Sequence, residues 1–184
     1  MPFLATDFPG VFIFEPKVFK DDRGYFFESY NEQAFAQQGL PIRFIQDNQS
    51  FSRYGVIRAL HYQLDPHAQT KLVRVLQGRI LDVALDIRKG SPTYGRSLSV
   101  ELSAENKRQL LIPKGFAHGF SVLSQTAEVS YKCDAFYSKA DEGGILFDDP
   151  ALGIDWQVPA DKVIVSSKDL EAPSFANCRN NFQF

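Results

Sequence analysis

The chain has 184 residues, 44% of them hydrophobic and 23% charged, with a formal net charge of -2. That length suits one domain spanning 1–184, which buries roughly 70% of the surface its unfolded chain exposes and needs no disulfide or metal staple to fold. The near-balanced charge gives no electrostatic basis for a nucleic-acid or acidic-membrane partner, and no apolar segment approaches the roughly 20 residues that span a bilayer.

In chain order, "VFIFEPKVF" (11–19) and "GYFFES" (24–29) are rich in aromatic and β-branched residues and predict strands. "EQAFAQQ" predicts a helix, with Asn31 as its N-cap and Gly39 closing it. Strands follow at "IRFIQDNQS" (42–50), "GVIRALHYQ" (55–63), "KLVRVLQ" (71–77) and "ILDVALDI" (80–87). "QG" at 77–78, between two apolar runs, predicts a tight turn joining antiparallel strands. "SLSVELS", "RQLLIPK", "FSVLS" and "AEVSYKC" continue the strand pattern to residue 133. From 145 onward the chain has short helical or irregular pieces, and "SSKDL" can open a helix. Many short strands without alternating helices predict an all-β sandwich or barrel, with Trp156 and the phenylalanines in its core. The opening "MPFLATDFPG" lacks the basic start and long apolar stretch of a secretory leader. Cys133 and Cys178 have no metal-ligand spacing, which fits reduced thiols in a cytoplasmic protein.

The two-residue period of a strand sorts the polar residues inside these runs. On a regular strand His61 shares a face with Ile57, Ala59 and Gln63, while Arg58 points the other way. Both can serve one site only if the strand bends there or Arg58 sits near its end. Lys71 shares a face with Val73 and Val75, apolar company for a cation that is costly to bury unpaired. Tyr131 alternates with Val129 and Cys133. Each has an ordinary structural reading too: a satisfied histidine, a lysine snorkelling from a strand edge, a core tyrosine. Asp169 in "SSKDL" fits a helix N-terminal charge.

The blocks "DDRGYFFESYN", "FIQDNQS", "IRALHYQ", "KLVRVLQG", "VALDIRKGSPTYG", "LSAENKRQLLIPKGFAHGF" and "YSKADEGGILFDDPALGIDW" occur in order between residues 21 and 156, and the similarity they carry runs from about residue 8 to about residue 173. Together they resemble the dTDP-4-dehydrorhamnose 3,5-epimerase family. The resemblance implies a cupin-type jelly-roll β-sandwich with a few short helices, no cofactor, and a homodimer whose N-terminal strands pair with the partner's sheet. It implies action on a dTDP-sugar: epimerisation at C3 and C5 of dTDP-4-dehydro-6-deoxy-D-glucose through an enolate. His61 would be the base, Asp169 its orienting carboxylate, Lys71 the cation beside the C4 oxygen and Tyr131 the acid on the far face. Arg23 and Arg58 would hold the diphosphate. Glu28, Gln46, Asp47 and Asn48 would contact thymidine and deoxyribose, and Tyr137 would stack on the base. His118, Glu142 and Lys168 also match binding positions. Arg23 and Glu28 are the candidates to reach across a dimer interface.

Metal-binding cupins carry G-x5-H-x-H-x3-4-E-x6-G in their first half. Here Gly55 and His61 fit, but Gln63 stands at the second histidine and Lys71 at the glutamate. Pro113, Gly115 and His118 match the second-half pattern P-x-G-x2-H. Two histidines would leave a metal under-coordinated, so the expectation is no metal. The alternative within the same chemistry is an enzyme that inverts only one carbon of a dTDP-4-keto-6-deoxyhexose. A metal-dependent cupin and a non-catalytic sugar-binding cupin are the readings from other classes.

Overall fold

The computed structural model describes residues 3–184. Thirteen strands and two short α-helices run in the order β1 (Phe3–Ala5), β2 (Phe12–Phe14), β3 (Phe19–Asp21), β4 (Gly24–Phe26), α1 (Glu32–Gln37), β5 (Gln46–Arg53), β6 (Ile57–Gln63), β7 (Lys71–Gln77), β8 (Arg79–Asp86), β9 (Ser97–Ser103), β10 (Gln109–Ile112), β11 (Phe116–Val122), β12 (Thr126–Cys133), β13 (Glu142–Gly144) and α2 (Ser167–Leu170) among the described residues. A six-stranded sheet has the order β1-β2-β10-β7-β12-β5, and a five-stranded sheet the order β13-β6-β11-β8-β9. The strand pairings within both are antiparallel. This is the all-β sandwich expected of the strand-rich sequence.

Strands β8, β10 and β11 are buried on both faces, which explains why they are nearly apolar throughout, whereas the edge strand β5 alternates with exposed positions. Between the sheets lie Val73 and Val75 of β7, Ile80 and Ala84 of β8, Phe120 and Val122 of β11, and Val129 of β12. The outer face of the five-stranded sheet, with Leu60, Leu81, Val83 and Leu85, is covered by Ile145, Phe147, Trp156 and Phe182 of the C-terminal segment. The outer face of the six-stranded sheet packs Leu72 and Leu111 beneath Phe35 of α1. That helix forms as its end residues dictate: the Asn31 side chain accepts the Ala34 N–H at 3.1 Å, and Gly39, at φ +77°, follows the last turn in the left-handed region.

Three expectations change. The turn at Gln77–Gly78 does not close a hairpin: β7 pairs with β10 and β12, whereas β8 pairs with β11 and β9. The chain crosses from one sheet to the other there. Gly78, at φ +78°, runs so close to the Thr126 carbonyl that a Cβ would overlap it. "VFIFEPKVF" is two strands, β2 and β3, interrupted around Pro16, and 42–45 lies outside β5. Not every phenylalanine is core. Phe19, Tyr25 and Phe26 project from the β3–β4 hairpin, a separate two-stranded unit with no buried residue.

Strand β6 carries the irregularity that matters most. Against β11, His61 lies opposite His118, but Arg58, three residues earlier, lies opposite Phe120, only two residues later. The extra residue is a β-bulge. It moves Leu60 and Tyr62 onto the same apolar side as Ile57 and Ala59. The strand irregularity is thus the condition under which Arg58 and His61 can serve one site, and both line one cavity, away from Ile57 and Ala59. Opposite the bulge sits Gly119, where a Cβ would come within 2.4 Å of Ala59 Cβ and 2.8 Å of Ala59 Cα. Gly119→Ala therefore overpacks this crossing and should cost roughly 1–3 kcal/mol of stability, read as a lowered denaturant midpoint. Gly144→Ala, whose Cβ would find its nearest neighbour at 3.6 Å, is the control and should change stability by less than about 1 kcal/mol.

Candidate active site

One cavity of about 410 Å³ opens between the sheets. The five-stranded sheet contributes Arg58 and His61 from β6, His118 and Phe120 from β11 and Glu142 from β13. The six-stranded sheet contributes Gln46, Asn48 and Ser50 from β5, Lys71 from β7 and Tyr131 from β12. Tyr137 and Gln69 complete the lining from loops, with the ring of Tyr62. His61 and Tyr131 thus stand on opposing sheets. Lys71 lies on Tyr131's side, its Nζ 5.9 Å from the phenol ring centroid.

Asp169 reaches the site from behind. Its Oδ1 accepts a hydrogen bond from His61 Nε2 at 2.8 Å, and its Oδ2 accepts the Ala59 N–H at 3.4 Å. Burial pushes the Asp169 carboxyl up, but these partners and the Ser166 hydroxyl outweigh it and hold its pKa below the ordinary carboxylate value. An ionised Asp169 can only accept, so in the neutral imidazole the His61 proton sits on Nε2 and the lone pair on Nδ1. A second pair lies alongside: His118 Nε2 bonds Asp82 Oδ1 at 2.7 Å with both side chains buried. Burial lowers the His118 pKa, against the opposing pull of Asp82.

Lys71 is ringed by protein. Burial lowers its pKa from the ordinary lysine value, opposed by Cys133, Asp82 and Glu142. Burial moves Tyr131 the other way, up from the ordinary phenol value, with Arg58 pulling it back. Desolvation disfavours whichever form is charged, so it weakens an ammonium's hold on its proton and strengthens a phenol's. Arg58 Nε donates to Ser52 Oγ at 3.0 Å, fixing the guanidinium beside the cavity. At the mouth, Tyr137 donates its backbone N–H to Gln46 Oε1 at 3.0 Å and its hydroxyl to Glu142 Oε2 at 3.1 Å. Tyr137 as a whole is 55% exposed.

Of the residues singled out from the sequence, His61, Lys71, Tyr131, Gln46, Asn48, Arg58, His118, Tyr137 and Glu142 line the cavity. Asp169 touches it through His61, and Lys168 through an ion pair with Glu142 at 2.6 Å. Three lie elsewhere. Asp47 falls between Gln46 and Asn48 on β5, so the pleat turns it to the opposite face, where it pairs with Lys132 at 3.0 Å. Arg23 sits at the exposed hairpin, paired with Asp21 at 2.6 Å. Glu28 accepts from Asn31 Nδ2 at 3.2 Å, beside α1. Ser50, Tyr62, Gln69 and Phe120 line the cavity without having been singled out from the sequence, and Asp82, given no role there, pairs with His118. Ser50 was findable, since it continues the Gln46–Asn48 alternation. Asp82 required knowing that β8 runs beside β11. Among the described residues no group of three or more His, Cys, Asp or Glu side chains is placed to hold a metal ion.

Known proteins of similar sequence and fold identify the family. A family model described as dTDP-4-dehydrorhamnose 3,5-epimerase matches residues 5–177. The dTDP-4-dehydrorhamnose 3,5-epimerase of Shigella flexneri is 53% identical over 178 residues, which cover 96% of this chain and 97% of that protein. The crystal structure of dTDP-4-dehydrorhamnose 3,5-epimerase from Elizabethkingia anophelis matches with a TM-score of 0.92 at 51% identity, covering 96% of this chain and 97% of that one. The dTDP-6-deoxy-D-glucose-3,5-epimerase of Legionella pneumophila, solved in complex with dTDP-4-keto-L-rhamnose, matches with a TM-score of 0.91 at 46% identity, covering 96% and 93%. Matched over nearly its whole length by model, sequence and fold, the chain belongs to the dTDP-4-dehydrorhamnose 3,5-epimerase family.

Proposed function

We propose that this chain, acting as one domain, inverts C3 and C5 of dTDP-4-dehydro-6-deoxy-D-glucose to give dTDP-4-dehydro-L-rhamnose. The observation that carries this reading is an imidazole on one sheet facing a phenol and an ammonium on the other across a single cavity. Inversion beside a ketone needs that arrangement. A base takes the α-proton from one face, charge builds on the carbonyl oxygen, and an acid returns a proton to the other face.

In this mechanism His61 Nδ1 removes the proton while Asp169 steadies the imidazolium that forms, as an orienting carboxylate does in a triad. The electron pair moves to the C4 oxygen, where Lys71 holds the enolate. Tyr131, protonated at neutral pH, delivers its proton to carbon on the opposite face. Once the two side chains have exchanged protons with water, the second α-carbon reacts in the same way. Arg58 binds a phosphate of the nucleotide, for which its planar fork is suited, Tyr137 stacks on thymine, and Gln46, Asn48 and His118 bind the remainder.

The same proposal assigns Arg23 and Glu28, which lie away from the cavity of their own chain, to the cavity of a second copy in a homodimer. The β3–β4 hairpin, with exposed Phe19, Tyr25 and Phe26 and no buried residue of its own, is the arm that would carry Arg23 there. It also places the protein in the cytoplasm, in keeping with two unpaired cysteines.

Incubation with dTDP-4-keto-6-deoxyglucose in deuterated water should put deuterium at both C3 and C5 of the product, measured by NMR. Label at one carbon only would make the enzyme a single-carbon epimerase. His61→Ala should abolish both exchange and turnover. Tyr131→Phe should retain exchange at the carbon His61 reaches while losing inversion; complete loss of exchange in both variants would contradict the assigned roles. The opposite pKa directions at Lys71 and Tyr131 predict which group ends activity as pH rises. Burial draws Lys71 down from the ordinary lysine value and pushes Tyr131 up from the ordinary phenol value, so the alkaline limb is assigned to Lys71. The alkaline fall in kcat/KM should therefore move to higher pH in Lys71→Arg, because a guanidinium keeps its charge. An unmoved alkaline limb in that variant would assign the fall to another group.

A further inference from the structure

The His61–Asp169 bond depends on a short piece of chain whose apolar hold, Val165, precedes the helix and packs against the outer-face cluster. α2 is four residues long, and a helix of one turn is not stable by itself in water. Asp169 is its only buried residue, and Leu170 is 56% exposed, so the turn lays no apolar stripe against the sheet. Its N-cap, Ser166, accepts the Asp169 N–H at 3.2 Å, which organises the turn internally without fastening it to the sandwich. Upstream, the chain is anchored where Ile57 donates to the Ile164 carbonyl, and downstream where Leu146 donates to the Pro173 carbonyl.

Between those anchors, two side chains make polar contacts with the rest of the domain. Asp169 reaches His61 and the Ala59 N–H. Lys168, its neighbour, reaches Glu142 Oε1 at 2.6 Å. Glu142 begins β13, which pairs with β6 so that Glu142 lies opposite Gln63 and Gly144 opposite His61. The ion pair therefore ties α2 to the strand pair that presents the base. Glu142 also accepts the Tyr137 hydroxyl through its other oxygen, so both of its oxygens are engaged and its carboxylate plane is fixed.

We infer that Lys168 and Glu142 are positioning residues, whose ion pair clamps α2 so that Asp169 stays in line with His61. This role rests on the reading of His61 as the base, and it differs from the substrate contact that the family resemblance implies for both residues. Its effect falls on the chemical step. A contact made only to the nucleotide would raise KM and leave kcat alone. A clamp on Asp169 instead lowers kcat, since displacement of an orienting group by about 1 Å can cost up to about a hundredfold.

The test combines kinetics with a measurement on the substrate-free protein. Lys168→Met should lower kcat by about tenfold or more while KM changes by less than about threefold. Lys168→Arg should restore kcat, because its guanidinium still pairs with a carboxylate. Glu142→Gln should behave like Lys168→Met, and the double variant should be no slower than either single one, as expected for two members of one interaction. The chain has 3 histidines, so the ring 15N signals of His61 can be assigned by their loss in His61→Ala. In the wild type they should report a proton held on Nε2. In Lys168→Met, with circular dichroism unchanged, they should report a mixture of tautomers, and in Lys168→Arg the Nε2 form again. A Lys168→Met protein that keeps both the single tautomer and kcat, with only KM raised, would overturn the inference. A wild type with the single tautomer but no exchange into the ketosugar would instead sink the proposed reaction and leave the clamp standing.

Discussion

The site depends on one residue too many in a strand. Had β6 kept a regular alternation, Arg58 and His61 would lie on opposite faces, one in the cavity and the other against the C-terminal covering. The bulge against β11 corrects the phase, so a phosphate-sized cation and an imidazole share one cavity while Ile57, Ala59, Leu60 and Tyr62 stay with the apolar layer. The cost is a close approach of two backbones, tolerated because the facing residue is Gly119. Fold and chemistry meet at that crossing.

The sandwich then separates the chemical roles by sheet. The five-stranded sheet holds both histidines and Asp82, with Asp169 reaching His61 from α2, and the six-stranded sheet holds the ammonium and the phenol. The same desolvation drives Lys71 and Tyr131 in opposite directions along the pH scale, because burial penalises charge whatever its sign. At neutral pH this keeps the phenol a proton donor. The half-buried Lys71 ammonium, for its part, gains most when an anion forms beside it, which is why it is proposed as the enolate's partner. Asp169 completes the set by fixing which imidazole nitrogen carries the proton.

Much of this was legible in the residue order, for identifiable reasons. α1 was readable because Asn31 and Gly39 mark its ends, and β7 and β9 because β-branched and apolar runs stop at turn residues. Gln46 and Asn48 share a cavity wall because a strand alternates, and the same rule placed Asp47 outside, a consequence the family pattern had obscured. What could not be read was anything set by pairing between distant segments. The Gln77–Gly78 turn looks like a hairpin locally, yet the flanking strands find partners in different sheets. The bulge in β6 is invisible in "IRALHYQ" because it exists only relative to β11. Asp82 meets His118 only because β8 and β11 are neighbours. Exposure of Phe19, Tyr25 and Phe26 was equally hidden, since composition alone places aromatics inside.

The interleaving of the two sheets has a kinetic consequence. β2 pairs with β10, β5 with β12 and β6 with β11, so most strands must wait for partners far along the chain. Topologies of this kind have high contact order and fold in roughly milliseconds to seconds, because loop closure must be completed before the pairings reward it. His61, Lys71, Tyr131 and Asp169 come from four separate segments of that weave. No partly assembled chain can hold them together, and recovery of turnover during refolding would follow the last strand to dock rather than the first.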